Sequence, residues 1–156
     1  EHIVSLLGGK GKVVELEGIA GTSAARDRGQ GFNDAIAGTE IEVVAKQVAD
    51  FDRTQGLSVM ENILQAQPEI DAVFAHNDEM ALGAQKAIEA SGREIIIVGF
   101  DATDDAVAAV KEGKMSATVA QQPSLIGELG VETAKKILDG ESVEDFVPVD
   151  LQLVTE

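Results

Sequence analysis

VFAHNDEMALGA, residues 73–84, passes from strand to helix within one short stretch. Val73–Ala75 is apolar, His76–Glu79 is polar, and Met80, Ala81, Leu82 and Ala84 then recur at helical spacing. A strand that feeds a helix through a short polar break is half of a βαβ unit, the building block of a parallel sheet. The polar break also holds one of only two histidines in the chain, beside an amide and two acids.

The same unit recurs along the sequence. Strands are expected at Val13–Glu17, Ile41–Val48, Ala72–Ala75, Ile95–Phe100 and Ser116–Ala120. Helices are expected near Ala24–Ala37, Gly56–Gln65, Glu79–Ser91 and Asp105–Glu112. Each connection is long enough for a right-handed crossover, so the natural solution is five parallel strands with helices on both faces. IIIVGF (95–100) is apolar throughout, as a centrally covered strand should be, whereas EIEVVAKQV (40–48) alternates and reads as a sheet edge. The expected fold class is α/β and flavodoxin-like, with strand order 2-1-3-4-5. Pro123 stops the fifth strand, and a helix with an apolar stripe (Leu125, Ile126, Leu129, Ala134, Ile137, Leu138) follows before Gly140. PVDLQLV (148–154) alternates like a half-exposed strand.

Composition bounds the function. The chain has 156 residues, 44% hydrophobic and 26% charged, which suits one folded domain. A net charge of −16 argues against nucleic acid or an anionic membrane surface as partner. Cysteine is absent, which removes disulfides and thiolate chemistry. Tryptophan and tyrosine are absent too, so base-stacking platforms and aromatic cages are not expected. The start at Glu1, with neither Met nor a signal-peptide pattern, reads as a processed form or a fragment.

In parallel α/β sheets, ligands gather at the carboxyl edge of the strands, so the loop after each strand decides function. GIAGTSAARDRG (18–29) lacks the spacing of a dinucleotide or P-loop motif. Arg26 falls in the first turn of its helix, where a cation gains nothing from the dipole, and this mismatch marks it as a ligand candidate. Arg28 reads as a solvated surface residue. In VADFDRTQG (48–56), Phe51 is either a plug beneath a helix or an apolar plate for a ligand, while Asp52 or Thr54 caps the helix. After the third strand, Asp78 and Glu79 suit the first helical turn, which leaves Asn77 as a ligand-facing amide. His76 lacks metal-ligand partners at a convincing spacing, and no metal or other cofactor is expected. Asp101 ends the fourth strand ahead of the capping residues, and Gln121 ends the fifth.

Arg26, Phe51, Asn77, Asp101 and Gln121 therefore converge on one edge, four able to hydrogen-bond and one apolar. Sugar hydroxyls both donate and accept, and sugar C–H faces pack on rings, so the combination favours carbohydrate binding. No nucleophile–base constellation accompanies it, and no enzyme activity is expected.

GIAGTSAARDRGQGF, ADFDRTQGL, VFAHNDEMALGA, VGFDATDD, ATVAQQP and VPVDLQLV together resemble the second lobe of bacterial periplasmic ribose-binding proteins. In that family two such lobes close on a pentose and deliver it to an ABC transporter and a chemoreceptor. The resemblance implies sugar contacts for the same five residues and a periplasmic location. It also implies a division into a core lobe (1–122), a helical segment crossing to the other lobe (123–146) and a returning C-terminal strand (147–156). Since the first lobe has no counterpart here, the chain is expected to be an isolated half, dissected, ancestral or designed, with millimolar ribose affinity or none. The apolar stripe of the 125–138 helix must be buried somewhere, which favours a homodimer. Two other readings stay open: the effector-binding part of a lactose-repressor-type regulator, and a flavodoxin-like phosphate- or flavin-binding domain.

Overall fold

A computed structural model describes all 156 residues. The chain runs α1 (His2–Leu6), β1 (Lys10–Glu17), α2 (Ser23–Ile36), β2 (Glu40–Val48), α3 (Arg53–Ala66) and β3 (Ala72–Ala75). It continues through α4 (Asp78–Ser91), β4 (Ile96–Phe100), α5 (Asp104–Lys111), β5 (Ala117–Ala120), α6 (Pro123–Leu138) and β6 (Gln152–Val154). The sheet order is β2-β1-β3-β4-β5-β6. Its first five strands are parallel in the expected order, with β2 at the edge.

The expected C-terminal strand extends this sheet. The sheet has six strands rather than five, because β6 pairs antiparallel with β5 through Thr118–Val154, Val119–Leu153 and Ala120–Gln152. A strand of three residues carries too little periodic signal to announce its partner. At the chain start α1 forms, Ile3 is buried, and His2 Nε2 lies 3.2 Å from Ser116 Oγ.

The pleat divides the sheet's side chains between two unequal cores. Val14, Leu16, Val73, Ala75 and Ile97 face α3, α4 and α5 in a core of 19 buried residues. Val13, Phe74 and Val98 face the other way, toward α1 and α2, in a core of seven. On that thinner side a groove of about 670 Å³ is left open, lined by Phe32, Phe74, Phe100, Val119, Leu151 and Leu153 among others. No helix is long and apolar enough to cross a membrane.

Helix starts follow local chemistry. Thr22, Asp52, Asn77 and Thr103 each accept a hydrogen bond from the backbone amide three residues on, capping α2, α3, α4 and α5. α3 and α4 approach closely through two glycines. A methyl group on Gly56 would sit 2.6 Å from the Met80 carbonyl oxygen, and one on Gly83 would overlap the Arg53 carbonyl.

Candidate functional site

The loops at the carboxyl edge carry unusual backbone geometry. Asp50 (φ 52°), Phe51 (φ 59°), Asp101 (φ 120°) and Ala102 (φ 52°) all have positive φ without being glycine. Such conformations persist only where the surroundings impose them, and they concentrate at binding sites. The two pairs end β2 and β4, the second and fourth of the loops singled out above.

Four of the five expected residues are brought to this edge. Asp101 Oδ1 accepts from Gln121 Nε2 at 2.8 Å and from Arg28 Nη2 at 3.0 Å, leaving Oδ2 without a protein partner. Asn77 is itself the α4 cap: its Oδ1 accepts from the Met80 amide at 3.0 Å, and its Nδ2 donates to the Phe51 carbonyl at 3.2 Å. Capping and edge placement thus belong to one residue, not to separate halves of the polar cluster. Phe51 is half-buried and partly packed on the larger core, yet its ring also lies against Gly18, where any side chain would overlap it. Phe51 is thus a plug between the core and the β1–α2 loop, with its ring half-exposed at the edge.

Arg26 is not at this meeting point. It is exposed, pairs with Asp27 at 2.8 Å, and borders a separate depression on the far side of α2 beside Gly18, Gly21 and Lys46. Arg28 takes the place expected for Arg26 and is not a solvated surface residue. Its side chain is only 14% exposed and donates to the His76 carbonyl and to Asp101. Its guanidinium lies 4.0 Å from the Phe100 ring centre and 5.8 Å from that of Phe51. The helical period explains the exchange. Arg28 lies one turn before the buried Phe32 and shares its inward face, whereas Arg26 lies one turn before the exposed Gln30.

His76 is buried in a hydrogen-bonded pair, and Asp78 differs from its sequence reading. The His76 ring is fully buried: Nδ1 accepts from the Gly18 amide at 3.3 Å, so Nε2 carries the proton donated to Glu15 Oε1 at 3.0 Å. Burial pushes the Glu15 carboxyl up, but the His76 hydrogen bond and the Lys46 ammonium outweigh it and hold it below the usual range. Lys46 Nζ lies 3.3 Å from Glu15 Oε2. Asp78, read as a simple helix-start residue, is fully buried. Its carboxylate accepts from the Thr118 hydroxyl at 2.7 Å, the Thr103 amide at 2.8 Å and the Thr103 hydroxyl at 3.2 Å. Burial pushes its pKa up, the three neutral donors only partly oppose this, and the Asp101 charge adds to the rise.

The edge therefore presents a mixed inventory: a free carboxylate oxygen on Asp101, the Gln121 amide oxygen, spare N–H groups on Arg28 and Asn77, and an aromatic face. Donors and acceptors thus stand side by side at this edge, a combination that suits hydroxyl groups. No group of three or more His, Cys, Asp or Glu side chains is arranged to hold a metal ion.

Residues 1–142 match the family of the periplasmic binding protein domain. The chain is 58% identical to the ribose import binding protein of Haemophilus influenzae, over 100% of this chain and 53% of that protein. It is 54% identical to the ribose import binding protein of Escherichia coli, again over 100% and 53%. Among solved structures, a periplasmic solute binding protein from Actinobacillus succinogenes with bound D-allose superposes with a TM-score of 0.92 at 35% identity, covering 98% of this chain and 55% of that one. The chain spans about half the length of the curated relatives it matches.

Proposed function

The chain belongs to the periplasmic binding protein domain family, and on that premise we propose that it is a non-catalytic pentose-binding lobe whose ligand is ribose. The observation that carries this reading is Asp101. Its strained backbone turns the carboxylate toward Arg28 and Gln121, which engage one oxygen and leave the other for a sugar hydroxyl. Arg28, Phe51, Asn77, Asp101 and Gln121 form the half-site. Phe51 packs on one face of the ring, and the other four read the hydroxyls.

The reading extends to the rest of the molecule. Residues 1–122 form the core lobe, residues 123–146 reach toward a second lobe, and β6 returns to the sheet. α6 supports this division because none of its residues is buried, and Val131 and Leu138 are 73% and 86% exposed. A second lobe is the natural cover for that stripe, and in its absence a second copy of the chain serves. A periplasmic location, an ABC transporter and a chemoreceptor as partners follow from the same family reading.

A half-site contacts one face of the sugar and leaves its charged groups in water, so affinity is low. Ribose binding in the millimolar range or weaker is expected, no better than about −4 kcal/mol. The test is a ribose titration followed by backbone amide NMR, with flavin mononucleotide as the contrasting ligand. Saturable shifts at Phe51, Asn77, Asp101 and Gln121, lost in Asp101→Ala and Arg28→Ala but kept in Arg26→Ala, support it. Micromolar affinity, shifts elsewhere, or a response to the flavin alone overturn it.

A further inference from the structure

Resting on the sugar reading of Asp101, we propose that Asp78 and Thr118, neither of which can reach a ligand, are the positioning pair that holds the Asp101–Ala102 turn in its binding conformation. Both side chains are fully buried. Asp101 and Ala102 are consecutive non-glycine residues at positive φ, a combination the chain does not adopt unaided.

Three successive amides are tied down. The Asp101 amide donates to the Val119 carbonyl at 2.8 Å, the Ala102 amide to Thr118 Oγ1 at 3.1 Å, and the Thr103 amide to Asp78 Oδ2 at 2.8 Å. The Thr118 hydroxyl has a single proton. Because Asp78 Oδ1, 2.7 Å away, takes that proton, the hydroxyl oxygen is turned toward Ala102 as an acceptor. Asp78 therefore acts on Ala102 through Thr118 and on Thr103 directly. Gly99 leaves room for the device, since a methyl group there would overlap Asp78 Oδ1. The strand end thus aims Asp101 by way of a buried carboxylate that starts a different helix.

A purely structural role would predict the same burial, so the test must separate local aim from global stability. Thr118→Val removes the hydroxyl while keeping the shape, and Thr118→Ser restores it. Hydrogen exchange is measured at the Asp101, Ala102 and Thr103 amides against the β3 amides, beside a ribose titration of each variant. In Thr118→Val, exchange at Ala102 and Thr103 is expected to rise about tenfold with β3 unchanged, and ribose affinity to fall about five- to tenfold. Thr118→Ser is expected to stay within about twofold of the parent. Asp78→Asn, which presents an N–H group to one of the donors, gives the same local signature should Thr118→Val not fold. Parent-like exchange and affinity in Thr118→Val, or a uniform rise across all strands, overturns the proposal. Local exchange that rises without any change in affinity overturns the positioning role as well. A parent that shows no ribose-dependent shift overturns the sugar reading instead, and the exchange pattern still decides whether the clamp exists.

Discussion

α4 and α6 are built to similar local specifications and meet opposite fates. α4 has an Asn77 cap, acids in its first turn and Gly92 in the left-handed region at its end. α6 has Pro123 in its first turn, Lys135 and Lys136 in its last, and Gly140 at φ 79° just beyond. Both carry an apolar stripe. Yet nine of the fourteen residues of α4 are buried, and none of α6 is. The difference lies in what stands opposite. β3 and β4 are short and apolar beneath α4, and α3 meets it through Gly56 and Gly83. Nothing within the chain covers α6. Local sequence makes a helix; only a complementary surface makes it core.

The largest effect that tests this contrast is truncation of an apolar side chain on each helix. Met80 is fully buried, so Met80→Ala is expected to cost about 2–5 kcal/mol in chemical denaturation. Ile137 is 56% exposed, and Ile137→Ala is expected to stay within about 0.5 kcal/mol. Equal losses would mean that α6 is packed in solution, and sedimentation equilibrium would then show whether a second copy covers it.

Glycine to alanine gives a smaller contrast of opposite sign. In Gly83→Ala the new methyl group meets the Arg53 carbonyl and must push α3 and α4 apart, costing about 1–3 kcal/mol. At Gly127, inside α6, the space is open, so Gly127→Ala is expected to stabilise that helix by about 0.5–1 kcal/mol. Circular dichroism melts of the two variants read the signs directly.

Caps come next. Asn77→Ala removes the acceptor for the Met80 amide and is expected to lower stability by about 1 kcal/mol. Gln122 makes no capping bond to α6, its amide donating instead to the Asp150 carbonyl at 2.8 Å on the surface, and Gln122→Ala is expected to change stability by less than about 0.5 kcal/mol.

The smallest effects are expected within the buried side itself, at its two carboxylates. Glu15 faces Lys46 and the His76 N–H, so its folded pKa is depressed; its stabilisation is present above the unfolded value near 4.3 and fades as pH falls through the folded value. Asp78 has only neutral donors, so its folded pKa is raised; its contribution is full below the unfolded value near 3.9 and fades as pH rises through the folded value. Between neutral pH and about pH 3, Glu15→Gln is therefore expected to lose less stability than the parent, and Asp78→Asn more. Urea melts across that range check both signs, and matching slopes would contradict them.

Much of the candidate site was legible because a strand's last residue must emerge at one edge, whatever surrounds it. Phe51, Asn77, Asp101 and Gln121 needed only strand ends and the rule that ligands gather there. Arg28 needed more. The loop motif places two arginines close together, and choosing between them depends on the rotation of α2 about its axis. Its spacing from Phe32 carried that signal, but only for a reader who knew that Phe32 is buried. Asp78 offered no such signal, since an acid at a helix start looks the same with or without a buried hydroxyl above it.

By itself, then, the sequence determined the alternation of strand and helix, the order of the five parallel strands and the placement of four candidate residues at one edge. These follow from interactions between near neighbours or from the period of the chain. Only the tertiary structure decided the pairing of β6, the exchange of Arg28 for Arg26, the Asp78–Thr118 clamp and the bare face of α6. Each of these joins segments far apart in sequence, such as Asp78 with Thr118 or Arg28 with Asp101. Whether such groups meet depends on how whole elements pack, and no local pattern encodes that.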